Sequence, residues 1–323
     1  MSRVSARRLL IVGDSDSARR LHESFQQRAP CSWEWLGVVA DGPVGADLGM
    51  KLGMTCDLAE IALRHRPTDL VVAIQSPGSI LGKTLLQLAK NKFRVIDVRT
   101  LHEELTHRVA VLGDDQAWHT ALGRLSRQSL WTRTAKRTLD LIAGTCAFLA
   151  FALALFPVAL GLTLERAGSV FVRERRVGHL GQLFTLIRFR TTRSGPAGQH
   201  WPFVDAPAPT RTGAVIRRFG IDRLPQSLAI LAGHLSLVGP RAAEAQSPQR
   251  MEHESPVFLL RTTVQPGLIG WEQLHRERRS SYDTLRPLEY DLYYIKHQSF
   301  GLDLRILAYS ALAFFGVDRT FGN

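Results

Sequence analysis

Asp140-LIAGTCAFLAFALALFPVALGLTL-Glu165 is the stretch on which the reading of this chain turns. It is an uncharged, mostly apolar run of 24 residues, interrupted by Pro157, in a sequence that otherwise reads as soluble. As a helix rising ~1.5 Å per residue it would reach roughly 36 Å, enough for a hydrocarbon core about 30 Å thick. Basic residues flank both ends, with Arg133, Lys136 and Arg137 before the run and Arg166, Arg173, Arg175 and Arg176 after it. Such residues favour the cytoplasmic side, so both ends are expected there, and a re-entrant hairpin meets that condition. Pro157 lacks an N–H and clashes with the preceding turn, which supplies the bend. A spanning helix and a buried soluble helix stay open as alternatives.

The remaining composition sets bounds on what surrounds this run. A length of 323 residues suits two domains, each with its own core. Of the net charge of +12, residues 1–130 carry little, 17 Lys+Arg against 14 Asp+Glu; residues 131–323 hold 24 against 15. The surplus therefore lies beside the apolar run, where it suits anionic headgroups or phosphorylated substrates. No basic stripe interleaved with aromatics points to nucleic acid. Cys31, Cys56 and Cys146 have neither close pairing nor metal-ligand spacing, which fits a reduced compartment. No apolar stretch of signal-peptide length precedes Asp14, so export is not expected.

The first 130 residues alternate between short apolar runs and helical periods. Leu9–Val12, Trp35–Ala40, Leu70–Ile74 and Arg94–Val98 read as buried strands, and the segment through Leu21 and Phe25, Leu58–His65 and Ile80–Asn91 as helices. That order predicts a parallel α/β sheet. Gly13-Asp14-Ser15-Asp16-Ser17-Ala18 occupies the position of a Gly-x-Gly-x-x-Gly/Ala phosphate-binding turn, but Ser15 replaces a glycine and Asp14 and Asp16 bring negative charge. Gly13, Ser15, Ala18 and Asp41, the last suited to a ribose hydroxyl, are the candidate nucleotide contacts. A structural or regulatory domain is the competing reading. An oxidoreductase or epimerase is disfavoured by Ser15 and by the lack of a Tyr-x-x-x-Lys pair in this domain.

From Arg133 onward an ordered series of motifs appears. Lys136-Arg137 with Asp140 is followed by Val170-Phe171, Arg173, Arg176-Val177-Gly178, Gly181, Phe184 and Phe189-Arg190. Thr210-Arg211, Gly213 and Arg217-Arg218 lead to Asp222, Leu224-Pro225-Gln226 and Ser236-Leu237-Val238-Gly239-Pro240-Arg241. Arg261, Val264, Pro266-Gly267, Gly270, Gln273, Asp291-Leu292-Tyr293-Tyr294-Ile295 and Leu302-Asp303 close the series. Over nearly 190 residues this resembles the monotopic phosphoglycosyl transferases, a group of bacterial sugar transferases. The first domain is also similar to the Rossmann-like, CoA- or nucleotide-binding-like domain of the larger members.

The resemblance implies an α/β protein in two parts. Residues 1–130 would form the Rossmann-like parallel-sheet domain, and 131–323 a mostly α, membrane-associated transferase domain with a re-entrant helix at about 137–165, in which Lys136, Arg137, Asp140 and Pro157 belong to the membrane anchor. It implies transfer of a sugar phosphate from a nucleotide diphosphate sugar to a polyprenyl phosphate, initiating exopolysaccharide, capsule or O-antigen assembly through an Asp-linked phosphosugar. The chain would sit on the cytoplasmic face of the bacterial inner membrane against membrane lipids, with a homo-oligomer left open. Asp222 would be the nucleophile. On local sequence alone the favoured reading is a plain helix cap, with Pro225 in the turn that follows, and the long ordered match is what overturns it.

Arg188, Arg190, Arg217, Arg218 and Arg241 are candidates to neutralise phosphate, because guanidinium forks pair bidentately with its oxygens. The family implies Mg2+, with Asp222 among its ligands. Several positions depart from the family pattern. Arg223 stands where the family has a glutamate directly after its aspartate, which weakens the expectation of Mg2+ and predicts a lowered pKa for Asp222. Arg175 replaces a usual Glu, Ala206 and Ala208 replace the Asp and Arg of an Asp-Pro-Arg step, Ala242-Ala243 replace Pro-Glu, and Phe156-Pro157 replaces Ser-Pro. Glu174 and Glu244 each lie one position from a lost acid. These departures carry the second expectation, a catalytically impaired homologue that regulates or scaffolds polysaccharide assembly. Leu302–Val317 reads as an interfacial helix or a core helix, and Trp131, Trp201 and Trp271 as interfacial or core aromatics.

Overall fold

The computed structural model describes residues 7–28, 33–74, 78–91, 93–109, 130–166, 168–193, 209–245, 259–275 and 286–314. Two compact units divide the chain, one within Met1–Ala117 and Thr320–Asn323, the other within Trp118–Arg319.

In the first unit the apolar runs become a five-stranded, all-parallel sheet of order β3-β2-β1-β4-β5. The strands are β1 (Arg7–Val12), β2 (Trp33–Val39), β3 (Lys51–Gly53), β4 (Asp69–Val72) and β5 (Arg94–Asp97). Four helices connect them: α1 (Asp16–Arg28), α2 (Leu58–His65), α3 (Ser79–Lys90) and α4 (Val98–Thr106). Side chains alternate across the sheet with period two, so both of its faces are buried. Leu9, Ile11, Val38 and Val71 pack with Leu21 of α1 and Leu101 of α4, while Leu10, Val12, Val39 and Leu70 pack with Ile61 of α2 and Leu85 of α3. Gly13 ends β1 at φ 106°, and a Cβ there would lie 2.4 Å from Ile74. Its glycine is therefore required by the turn and by close approach to the end of β4.

The second unit is organised on α5 (Leu130–Leu164), a single helix of 35 residues with Pro157 inside it. The expected span of about 137–165 is thus extended at its start, and the backbone is one continuous helix instead of two arms of a hairpin. Its length is about 52 Å. Phe151, Val158 and Leu162 pack on Phe189 and Ile216, so one side of the helix is in a core; Phe151 lies 5.7 Å from Phe189, which stacks on Phe171 at 5.3 Å. Leu153 and Phe156, 81% and 75% exposed, belong to an uncovered apolar side that also includes Ile142, Leu149 and Leu160. By length and composition this helix is capable of crossing a membrane.

Around it lie an antiparallel ribbon of β6 (Phe171–Val177) and β7 (Leu183–Phe189), the helix α6 (Arg211–Arg218), a 3₁₀ segment (Ile221–Gln226) and α7 (Ser227–Leu231). A parallel pair follows, β8 (Ser236–Val238) with β9 (Gly267–Ile269). Then come α8 (Trp271–Leu274), α9 (Arg286–His297) and α10 (Phe300–Phe314). Trp271 is fully buried and stacks on Tyr293 at 5.7 Å, which settles it as core; Trp131 is 77% exposed. Trp201, Ala206, Ala208 and Cys31 lie outside the described residues.

Lys136, Arg137 and Asp140, expected in the membrane anchor, are bonded to β8, α7 and α10. Lys136 Nζ donates to Val238 O at 2.8 Å, Asp303 Oδ2 at 2.9 Å and Tyr294 OH at 3.2 Å. Arg137 donates to the Ile230 and Leu231 carbonyls at 2.8 and 2.9 Å. Asp140 Oδ1 accepts from the Leu237 N–H at 2.8 Å and from Ser236 Oγ at 3.1 Å. Buried polar groups need partners, and these three side chains supply them to the free backbone at β8 and the end of α7. Together they dock the start of α5. At its other end Glu165 accepts from the Thr212 N–H and Oγ1 at 2.8 and 2.6 Å.

Candidate active site

Asp222 is placed by two local devices. The Thr210 side chain accepts from the Gly213 N–H at 2.8 Å and caps α6, and Gly220 at φ 69° ends that helix in the left-handed region. The chain then turns through the 3₁₀ segment that contains Asp222, with Pro225 and Gln226 buried beneath it. This segment packs against β7, α5 and α6, so Asp222 belongs to the same structural block as the apolar helix.

Asp222 is half-buried, and loss of water raises its carboxyl above the usual carboxylate range. The positive charges of Arg223, Arg188 and Arg217 oppose that rise without overturning it. This reverses the expectation drawn from Arg223, because the burial that a one-dimensional reading omits outweighs the adjacent cation. Arg241 belongs to the same field. Partial burial, then the like charges of Arg223, Arg176 and Arg188, lower its guanidinium from the usual range.

The ribbon supplies the acids. Val172, Glu174 and Arg176 share a face with Arg188, Leu186 and Phe184 opposite them, whereas Arg175 points the other way. Glu174 binds Arg188 and also accepts from Arg176 Nε at 3.2 Å. Glu244, brought alongside by a bridge between residues 176 and 244, pairs with Arg176 at 3.1 Å. The two acids next to the family's lost positions therefore converge, but on a guanidinium. Arg217, Arg223 and Arg241 form no ion pair among the described residues.

Other predicted residues fall elsewhere. Arg190 is spent on Ser169, donating to its carbonyl at 2.7 Å and its hydroxyl at 2.8 Å, and Arg218 is exposed at the end of α6. In the first unit Asp14 binds Arg19 at 3.3 Å, Ser15 Oγ accepts from the Ala18 N–H at 3.3 Å, and Asp41 accepts from the Thr55 N–H and hydroxyl at 2.9 and 2.7 Å. All three hold loops in place. A cavity of about 470 Å³ opens beside the start of α5, with Lys136, Arg137, His179, Phe184, His234 and Gln298 among its walls. Asp222 does not line it.

Among the described residues no divalent-cation site is assembled. No three of His, Cys, Asp and Glu converge there, Glu174 and Glu244 are bound to guanidiniums, and the charges acting most strongly on Asp222 are themselves cationic.

Comparison with known proteins finds relatives among bacterial transferases. A protein with 31% identity over 245 residues is the UDP-N-acetylgalactosamine-undecaprenyl-phosphate N-acetylgalactosaminephosphotransferase of Aeromonas hydrophila, with 74% of this chain and 57% of that protein covered. The UDP-glucose:undecaprenyl-phosphate glucose-1-phosphate transferase of Escherichia coli is 28% identical over 321 residues, 93% of this chain and 66% of that one. Exopolysaccharide production protein ExoY of Rhizobium meliloti is 33% identical over 190 residues, 54% and 82%. The chain thus spans less than two thirds of the length of the first two. The family model described as bacterial sugar transferase matches residues 131–316, and the chain belongs to that family.

Proposed function

We propose that this chain transfers a sugar phosphate from a nucleotide diphosphate sugar to a polyprenyl phosphate, with Asp222 as nucleophile, at the start of polysaccharide assembly. The observation that carries the reading is the half-buried Asp222, under the positive charges of Arg223, Arg188 and Arg217, in a segment packed on a helix with an uncovered apolar side. An Asp222 oxygen attacks the phosphorus that bears the sugar; the bond from that phosphorus to the bridging oxygen breaks, and the nucleoside monophosphate leaves with the oxygen. An oxygen of the polyprenyl phosphate then attacks the same phosphorus, breaking its bond to Asp222. The carboxylate is regenerated and a polyprenyl diphosphate sugar is formed. Guanidiniums near Asp222 would neutralise the equatorial and leaving oxygens.

The membrane arrangement we propose is monotopic, on the cytoplasmic face. What supports it is that Lys136 and Glu165, about 43 Å apart along α5, are both bonded to the second unit. A helix held at both ends by one polar unit lies along the bilayer surface, with its uncovered side sunk among lipid chains. The first unit, with strand order β3-β2-β1-β4-β5 and helices on both faces, we take as Rossmann-like.

The test is purified chain in nanodiscs with polyprenyl phosphate and a panel of nucleotide diphosphate sugars, read as nucleoside monophosphate release. The reading predicts release from one donor and none from Asp222→Asn. Release that survives Asp222→Asn would remove Asp222 from the chemistry, and none from any donor would favour the regulatory homologue.

A further inference from the structure

We propose that the cavity beside the start of α5 binds the phosphate headgroup of an anionic bilayer lipid, at a site apart from Asp222. The inference rests on the reading that the uncovered side of α5 meets lipid, but on the cavity's own walls for what it binds.

At about 470 Å³ the cavity falls within the range of small-ligand sites, roughly 300–1,000 Å³. Three of its charged walls are cationic, Arg133, Lys136 and Arg137, and one is acidic, Asp140. Lys136 is balanced by Asp303 at 2.9 Å, and Asp140 turns its Oδ1 to the Leu237 N–H and Ser236 Oγ. The balance of the cavity is therefore positive and lies with two guanidiniums. Arg133 and Arg137 are four residues apart, one turn above the other on the same side of α5.

One of these guanidiniums is oriented by the fold. Arg137 donates to the Ile230 and Leu231 carbonyls at 2.8 and 2.9 Å, which uses two of its five N–H groups. Gly233 lies against it, since a Cβ there would stand 3.5 Å from Nη2. Phosphate is the anion whose oxygens match such a planar fork, and a held fork loses little freedom on binding it. Ring nitrogens add to the walls. His234 stacks on the buried Phe184 at 6.0 Å, and His179 stands in the turn between β6 and β7.

The apolar surroundings point to a lipid as the source of the phosphate. Leu183, on the cavity wall, is exposed, and so is Leu141, one turn after Arg137 on the same side of α5. Ile142 and Leu149 continue the uncovered side from there. The oriented cation thus lies about 6 Å along the helix from exposed apolar surface, as an amphiphile with a charged head requires. Asp222 does not line the cavity, so a phosphate held in it is not presented to the nucleophile, which distinguishes a bilayer lipid from the acceptor substrate.

The experiment is native mass spectrometry of the full chain in an uncharged detergent with dihexanoyl phosphatidylglycerol or dihexanoyl phosphatidylcholine, beside calorimetric titrations with glycerol 3-phosphate and inorganic phosphate. Phosphatidylglycerol is expected to be retained as one equivalent, about tenfold more tightly than phosphatidylcholine or either soluble phosphate. Arg133→Gln should weaken it about tenfold, the value of one charge-assisted hydrogen bond, and His234→Phe, which keeps the stack on Phe184, about threefold. Arg64→Gln, at an exposed position of α2, should leave it unchanged. The unfolding midpoint checks each variant, and if Arg133→Gln does not fold, His234→Phe decides. Equal retention of the two lipids, or equal losses in Arg133→Gln and Arg64→Gln, would overturn the inference. Soluble phosphates that bind as tightly as phosphatidylglycerol would overturn the lipid as the source. Flotation with phosphatidylcholine vesicles separates this site from the membrane arrangement. A chain that selects phosphatidylglycerol yet does not float overturns that arrangement and leaves the site standing; one that floats without selecting overturns the site alone.

Discussion

Replacing Lys136 with Met tests how α5 is held. The ammonium uses its three protons on Asp303, Val238 and Tyr294, and the ion pair is enclosed, with side chains 10% and 1% exposed. Met fills the space but leaves a buried carboxylate with the Tyr294 hydroxyl, at 2.7 Å, as its one remaining side-chain donor among the described residues. Breaking a buried pair from one side costs about 3–5 kcal/mol, which in a unit of roughly 200 residues lowers the melting temperature by about 6–20 °C. The cost should depend on pH. Burial already raises the Asp303 carboxyl and Lys136 opposes that rise, so the variant's carboxyl lies higher still. A carboxyl whose folded pKa exceeds its unfolded value contributes stability in acid that is lost as pH rises through the folded value, so the variant's deficit should shrink toward pH 5 and widen toward pH 8. Adding Asp303→Asn should recover part of the loss by removing the stranded charge. The assay is thermal unfolding in one detergent across that pH range, for both single variants and the double. A deficit below about 1 kcal/mol, or one that does not change with pH, would refute the account of how the helix is docked.

Three further outcomes follow from the same geometry. Arg223 lowers the Asp222 carboxyl against the larger effect of burial, so Arg223→Gln should move the acid limb of the kcat/KM profile to higher pH; an unmoved limb would show that the limb is not Asp222. A Cβ at Gly267 would lie 2.1 Å from the Gly239 nitrogen, a backbone atom that cannot yield, so Gly267→Ala should cost about 1–3 kcal/mol or more, whereas Gly301→Ala, with nothing within 4 Å, should cost far less in the same unfolding assay. Leu153→Asp puts a charge on the uncovered side of α5, and at about 3 kcal/mol near a bilayer centre it should weaken partition into vesicles roughly a hundredfold in a flotation assay; unchanged partition would show that this side does not enter lipid.

Much of the first unit was legible because its signals are local. Leu58–His65 is a helix with the bounds its periodicity predicts, and the buried strands announce themselves as apolar runs. The edge strand Lys51–Gly53 escaped, since three residues carry no period, and so did Val98–Thr106, which starts directly after β5 on the Asp97 cap. In the second unit the apolar run marked the helix but not its beginning. Lys136, Arg137 and Asp140 looked like flanking charges because their partners lie 93 to 167 residues away, at Ile230, Leu231, Leu237, Val238 and Asp303. Asp222 is a candidate through its place in an ordered family pattern. Its raised pKa could not be read from that pattern, because burial depends on how β7, α5 and α6 close around the turn. The pairing of Glu174 and Glu244 with Arg176 likewise depends on a bridge between distant segments.

The most direct test of Asp222 as the nucleophile is to trap the intermediate. Purified chain is given its nucleotide diphosphate sugar, radiolabelled in the phosphate that bears the sugar, with polyprenyl phosphate withheld, and the protein is then mapped by mass. The account predicts one sugar-phosphate adduct on the peptide containing Asp222, absent in Asp222→Asn and discharged when polyprenyl phosphate is added. Product formation without an adduct, or an adduct on another residue, would contradict it.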